Sequence, residues 1–278
     1  MTTTTPTALV DHRDQLLRGL PVTERRLDAA GIPTAVLEGG DGPPVVLLHG
    51  PGETAANWRW TIPDLVTTHR VIAPDLPAHG SSGTGDQPLD ADRVVDWLDA
   101  LVDATCDAAP TVVGHVLGGA IAARFATRRL GRLARLVLVD SLGLGHFRPR
   151  ARFAIGLLRF QARPRARSYE RFMGQCAYDL DELRHDLGED WPSFVAYNLA
   201  MATSESAGEA GRLFRKAGLP RIPADELDRI EVPTTLIWGR DDRANRVRVA
   251  ERASSRYGWP LHVIERAADD PARDRPEA

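Results

Sequence analysis

Apolar residues follow two rhythms along this chain. Continuous apolar runs at Val45–His49, Arg70–Pro74, Thr111–Gly114 and Leu133–Asp140 are short, and the first is bounded by Pro43-Pro44 and Gly50. Runs of this kind mark strands covered on both faces. Between them lie stretches of helical period. In Asp92–Thr105, Val94, Val95, Leu98, Leu101 and Val102 share one stripe, while Asp96, Asp99 and Asp103 take other positions. The alternation predicts an α/β fold with an open, mostly parallel central sheet flanked by helices. Two further segments, Thr23–Leu27 and Thr34–Glu38, flank Ala29-Ala30-Gly31 and predict an antiparallel pair that opens the sheet.

The rhythm changes after Leu144. From Gly145 to about Arg229 no strand-like run occurs, and aromatic and aliphatic residues sit in helix-compatible stretches broken by Pro164, Pro192 and Pro220. This predicts a helical cap inserted into the sheet domain. Strand and helix then resume with Thr234–Trp238, Val247–Tyr257 and Leu261–Glu265, and the chain reaches Ala278 where Asp274-Arg275-Pro276-Glu277 should begin a last helix. That helix is expected to be short or missing. The organisation is therefore an N-terminal core part over 1–144, a cap over 145–229 and a C-terminal core part over 230–278.

Composition narrows the partners. A chain of 278 residues buries about three quarters of its unfolded surface, enough for one large core. Its formal charge of −3 is spread without long single-sign runs, which gives no footprint for nucleic acid or an anionic membrane. A small molecule is the expected partner, and the protein is expected to be a monomer or homodimer. Cys106 and Cys176 have neither disulfide-framework nor metal-site spacing. The leader Met1-Thr-Thr-Thr-Thr-Pro6 lacks a basic and an apolar region, so a cytoplasmic location is expected. Lys216 is the only lysine, a skew attributed to GC-rich coding.

Four segments carry more specific information. They are Leu47-Leu48-His49-Gly50-Pro51-Gly52-Glu53, Ala73-Pro74-Asp75-Leu76-Pro77-Ala78-His79-Gly80-Ser81-Ser82, Val113-Gly114-His115-Val116-Leu117-Gly118-Gly119, and Leu236-Ile237-Trp238-Gly239-Arg240-Asp241-Asp242. In this order they resemble the α/β-hydrolase superfamily with a helical cap, over nearly the whole chain. The resemblance implies an α/β-hydrolase fold and a ligand cavity between cap and sheet. It also implies departures from the family's acyl-transfer chemistry. Val116 stands at the tip of the nucleophile elbow, where the family carries serine. Asp269 stands where the family's histidine falls, in Ala268–Glu277. Pro51, lacking an N–H, stands where an oxyanion donor is usual, leaving the N–H of Leu117. Loss of nucleophile or base costs a serine protease roughly 10⁶ in turnover.

The remaining candidates follow from the altered site. Asp242 matches the family's acid, and with Asp269 it would form a carboxyl pair sharing a proton, unless Asp269 points to solvent from a turn. Glu53 either enters the cavity as a base or caps Ala55–Trp60. Trp58 and Trp238 either stack on ligand or belong to the core. His115 and Val116 line the elbow, the former chiefly structural, and a non-helical, negative-φ Val116 would mark a relaxed elbow. His49 and His79 are read as hydrogen-bonding loop residues, Ser141 as a polar strand-end residue, and His146 and Arg148 as the cap hinge with possible ligand contact.

The resulting expectation is a non-hydrolytic, cofactor-free and metal-free enzyme of bacterial specialised metabolism, tailoring an antibiotic or polyketide-like hydrophobic molecule. Addition, cyclisation with carbon–carbon bond formation, elimination or rearrangement are the reaction types, with Asp242, Asp269 and Glu53 catalytic and Pro51, Trp58, His115, Val116, Leu117, His146 and Trp238 against substrate. The alternatives are a catalytically inactive ligand-binding or resistance protein, a hydrolase with a displaced nucleophile such as Ser141, and a cofactor-free oxygenase.

Overall fold

A computed structural model describes residues 6–278; the threonine leader, residues 1–5, lies outside the described residues. Eight strands form one sheet: β1 Thr23–Ala29, β2 Ile32–Gly39, β3 Pro44–Leu48, β4 Arg70–Pro74, β5 Thr111–His115, β6 Arg135–Val139, β7 Thr234–Gly239 and β8 Leu261–Ile264. Their order is β1-β2-β4-β3-β5-β6-β7-β8. The β1–β2 and β2–β4 pairs are antiparallel and every later pair is parallel. β3 is buried along its whole length, as its uninterrupted apolar run requires.

The helices are α1 Pro6–Leu17, α2 Ile62–Leu65, α3 Ala91–Thr105, α4 Leu117–Arg128, α5 Ala151–Ala162, α6 Ala166–Cys176, α7 Leu180–Leu187, α8 Trp191–Ala202, α9 Ala207–Leu213, α10 Ala224–Leu227, α11 Arg248–Tyr257 and α12 Pro271–Asp274. Asp90 caps α3 by accepting from the N–H groups of Asp92 and Arg93, and the stripe from Val94 to Val102 is buried against the sheet. Between β6 and β7 only helices occur, α5 to α10, and they enclose a second apolar cluster that includes Phe153, Tyr169, Met173, Phe194 and Tyr197. The last helix is a single turn, α12. No helix among the described residues is long and apolar enough to cross a membrane.

Helix α1 is the element that hydrophobic patterning passes over. Leu16 joins the apolar cluster of the cap, and the rest of the helix's anchorage is polar: Arg13, almost fully buried, bonds Glu24 at 2.9 Å, Asp75 at 3.0 Å and the Tyr197 hydroxyl at 3.0 Å. One guanidinium thus joins the N-terminal helix, the sheet and the cap. Asp75 also accepts from the N–H groups of Ala55 and Ser81, so its charge is fully coordinated. Removing one partner from a buried ion pair strands the other. Arg13→Ala is expected to lower unfolding free energy by about 3 kcal/mol, measured by urea denaturation, because Asp75 remains buried without its cation.

Candidate functional site

The elbow is built by close approach of backbones. A Cβ on Gly118 would lie 2.2 Å from the Leu48 carbonyl oxygen, and one on Gly114 would lie 2.5 Å from that of Gly118, so only glycine lets α4 sit this near β3 and β5. At the tip between β5 and α4, Val116 has φ +45° and ψ −96°. A β-branched residue at positive φ is strained by about 1–3 kcal/mol. Three backbone bonds hold it there: the Val116 N–H donates to Val139, the Leu142 N–H donates to Val116, and the Gly118 N–H donates to His49. The elbow has not relaxed. The Val116 side chain packs with Ala120, Leu142, Phe147 and Phe214, an apolar plug formed by core and cap together.

His115, one residue before the tip, is buried beneath it. Its Nε2 lies 2.6 Å from the carbonyl oxygen of Asp269 and its Nδ1 lies 3.1 Å from Glu53. A carbonyl only accepts, so Nε2 carries a proton. Burial opposes a charge on this ring, but Glu53 and Asp270 outweigh it and hold the imidazolium up to about 10. Burial would likewise raise Glu53, yet His115 draws its carboxyl down to about 2. Glu53 also accepts from the N–H of Gly50 at 2.6 Å, fixing the loop that carries Pro51. Glu53 therefore turns into the site and does not cap the following helical turn, whose entry is held by Thr54 and Asn57. Sequence reasoning assigned His115 a mainly structural role; the fold makes it the charged partner of Glu53.

Glu53, His115 and Asp270 bring one donor atom each within 4.8 Å of one another, spacing that suits a metal ion. The chemistry of this set does not. His115 spends its Nε2 proton on Asp269 and faces Glu53 with the other nitrogen, which makes the group an ion pair.

The second half of the site is a group of carboxyls at the C-terminal edge of the sheet. Asp242 accepts from the N–H groups of Ala244 and Asn245 on one oxygen and has no ordinary partner for the other. Burial raises it to about 6 against those backbone bonds. Asp140, at the end of β6, is also buried; burial and Asp242 push its carboxyl well above the usual range, so these two share a proton. Asp269 is raised to about 8, by burial first, opposed by Arg273 and reinforced by Asp242. Its side chain keeps 15% exposure, so it does not point freely to solvent. The expected Asp242–Asp269 interaction is present electrostatically, with Asp140 as an added member.

Arg273 organises the C-terminal turn. It lies 3.4 Å from Asp269, 3.6 Å from Asp270 and 3.3 Å from Asp274, and it donates to the carbonyl of Cys176 in the cap. Asp140, Asp270 and Arg273 escaped sequence reasoning. The i+3 and i+4 spacing from Asp270 and Asp269 to Arg273 was the available signal, as was an acid directly after an apolar strand.

Other candidates separate. Trp238 is fully buried and donates Nε1 to the Asn245 carbonyl at 2.6 Å, so stacking on ligand is corrected to a core role: packing leaves it no free face. Trp58 is buried edge-on to His115, centroids 6.4 Å apart, with its Nε1 donor unpartnered. Leu117 begins α4 fully buried, and Pro51 is exposed on the neighbouring turn. His146 and Arg148 line a different cleft, described below. Ser141 is buried and donates to the Leu142 carbonyl, a structural use. His49 links the Gly50 carbonyl to the Leu76 N–H, and His79 bonds the Pro77 carbonyl.

Comparison with known proteins places this geometry. A model described as "Alpha/beta hydrolase family" matches residues 45–278. A 2-hydroxymuconate semialdehyde hydrolase from Pseudomonas sp. (strain CF600) is 41% identical over 135 residues, a match spanning only 45% of this chain and 45% of that relative. A 2-hydroxy-6-oxo-6-(2'-aminophenyl)hexa-2,4-dienoic acid hydrolase from Metapseudomonas resinovorans is 29% identical over 82% of this chain and 77% of its own. Among solved structures, the 2-hydroxy-6-oxo-6-phenylhexa-2,4-dienoate hydrolase from Rhodococcus sp. strain RHA1 superposes with TM-score 0.80 at 26% identity, covering 92% of this chain and 95% of that one. These relatives overturn the expectation of a non-hydrolytic enzyme of antibiotic or polyketide tailoring, because they are hydrolases by name. The physical reason is that the identity of one side chain at the elbow does not by itself exclude attack by water.

Asp269 generates a stability test. Its folded value near 8 lies above its ordinary value of 3.8, so its contribution is fully present below about pH 4 and is lost as pH rises through 8. Asp269→Asn, which mimics the protonated form, is expected to raise Tm relative to wild type at pH 8.5 and not at pH 4. Scanning calorimetry at the two pH values reads this; an equal effect at both would refute the buried, protonated carboxyl.

Proposed function

Because the chain belongs to the alpha/beta hydrolase family, we propose that it hydrolyses a carbon–carbon bond beside a ketone in a small 2-hydroxy-6-oxo-dienoate-type acid, with water activated by buried carboxyl groups. The substrate class comes from the relatives' names. The observation that carries the mechanism is the pair of raised carboxyls: with Asp242 near 6 and Asp269 near 8, the two hold one proton between them at neutral pH.

That single proton is what hydrolysis without a covalent intermediate requires. Water adds its oxygen to the ketone carbon as one of its protons passes to the carboxylate of the pair. The carbon–carbon bond then breaks, its electron pair staying on the departing carbon, which takes a proton from the carboxylic acid. Return of a proton from the former carboxylate to the former acid resets the pair, and the products are a carboxylic acid and a fragment with a new C–H bond. Asp242, ionised above about 6, is the carboxylate that takes the proton from water, and Asp269, partly exposed and protonated below about 8, is the acid that protonates the departing carbon.

The other groups support the developing charge. The N–H of Leu117, at the start of α4, and the unpartnered indole N–H of Trp58 are donors available to the oxyanion or to the substrate carboxylate. The His115 imidazolium adds a fixed positive charge beneath the elbow, and Glu53 holds it there. Val116 serves as an apolar wall, with the strained backbone retained for the amide that follows it. Positioning by such a site can contribute on the order of 7–11 kcal/mol.

kcat/KM for a 2-hydroxy-6-oxo-dienoate, followed by loss of its conjugated absorbance, is expected to be bell-shaped in pH with limbs near 6 and 8. Asp269→Asn should reduce it by roughly 10²–10⁴. Val116→Ser should not raise it, since no imidazole base stands at position 269 to activate the hydroxyl. Wild-type rates in Asp269→Asn would exclude this mechanism.

A further inference from the structure

A concave site lies apart from the carboxyl cluster, between the opening of the cap and α11. This cleft has a volume of about 350 Å³. Its wall carries Arg148, Arg221, Arg246, Arg248, Arg252 and Arg256, and no aspartate or glutamate lines it. The whole chain has 35 basic and 38 acidic residues, so this segregation is not a property of composition.

Several arginines elsewhere in the molecule meet carboxylates. On the α3–α4 face, Arg128, Arg129 and Arg132 are matched to Asp92, Asp96, Asp99 and Asp103. In the cleft, Arg256 alone has such a partner, Asp228 at 3.4 Å; the other five form no ion pair among the described residues. Arg248, Arg252 and Arg256 also recur at four-residue spacing along α11, where like charges destabilise a helix. Six arginines gathered in one cleft with no acid among its lining residues supply positive charge to something outside the chain.

The chemistry of that ligand follows from the residue type and the shape. Guanidinium groups bind phosphoryl oxygens in a planar, two-point manner. A cleft whose arginines come from the start of the cap, from Arg221, and from Arg246 and α11 suits a compact anion, whereas a duplex or a membrane surface needs an extended basic stripe, which this chain of charge −3 lacks. Tyr257 lines the same cleft, stacked on Trp259 with centroids 4.6 Å apart and with the Arg256 guanidinium 5.3 Å over its ring. We propose that this cleft binds a small molecule carrying two or more phosphoryl groups.

The site also touches the machinery of the carboxyl cluster. Asn245 lines the cleft, its backbone N–H donates to Asp242, and its side-chain amide donates to the carbonyls of Ser141 and Asp140. The proposal does not rest on the reaction assigned to that cluster.

Isothermal titration calorimetry of the full chain with pyrophosphate, ADP, inorganic phosphate and adenosine tests it. Pyrophosphate and ADP should bind with one-to-one stoichiometry and weaken with added salt, and adenosine should give no heat. Arg252→Glu and Arg221→Glu should each reduce affinity about tenfold or more, Arg252→Gln less, and Arg171→Glu, outside the cleft, should leave it unchanged. Absence of binding by either diphosphate, equal weakening by Arg171→Glu, or binding confined to duplex DNA or anionic vesicles without competition by pyrophosphate would overturn it.

Discussion

The buried guanidinium of Arg273 is the constraint on which the candidate site depends. It gathers Asp269, Asp270 and Asp274 around one cation and donates to the carbonyl of Cys176, so the C-terminal turn and the cap are fastened together at the residue that faces the site. Asp274 extends the fastening by accepting from the N–H groups of Ala268 and Tyr178. A one-turn helix has almost no stability of its own. Charge-assisted bonds to Arg273 replace the packing that a longer helix would provide, and they fix the backbone carbonyl of Asp269 against His115.

From that anchor the electrostatics divide into two compartments. On one side Glu53 and His115 are charged, each stabilised by the other strongly enough to overcome burial. On the other, Asp140, Asp242 and Asp269 lack enough positive partners and retain protons that exposed carboxyls would lose. Asp269 lies at the boundary: its carbonyl serves the first compartment and its carboxyl the second. Burial there holds a titratable group away from water at a cost to stability once it ionises.

Much of the architecture was legible in the chain. Continuous apolar runs marked β3 to β7 because a strand covered on both faces permits little else, and the absence of such runs after Leu144 marked the helices between β6 and β7. The α1 helix was not, because its anchorage is chiefly the ion-pair network of Arg13 and has no hydrophobic period to detect. In the site, motif position singled out Glu53, Asp242 and Asp269, which the structure divides between the ion pair with His115 and the group of buried carboxyls, and partners distant in sequence were invisible: 62 residues separate Glu53 from His115 and 154 separate His115 from Asp269. Functional inference from the missing serine was misled for a related reason. A side chain reports one nucleophile, whereas the relatives and the surrounding acids bear on whether water can take its place.

The strained turn at Val116 has an evolutionary consequence. Its dihedral angles are dictated by glycine contacts and by backbone bonds from Val139 and Leu142, none of which involves the side chain at the tip. The bend is therefore set by the backbone around position 116, although a β-branched residue such as valine bears more of its conformational cost than an unbranched one. Position 116 behaves as an interchangeable socket: a lineage can exchange its occupant, and with it the reaction chemistry, without rebuilding the bend that presents it.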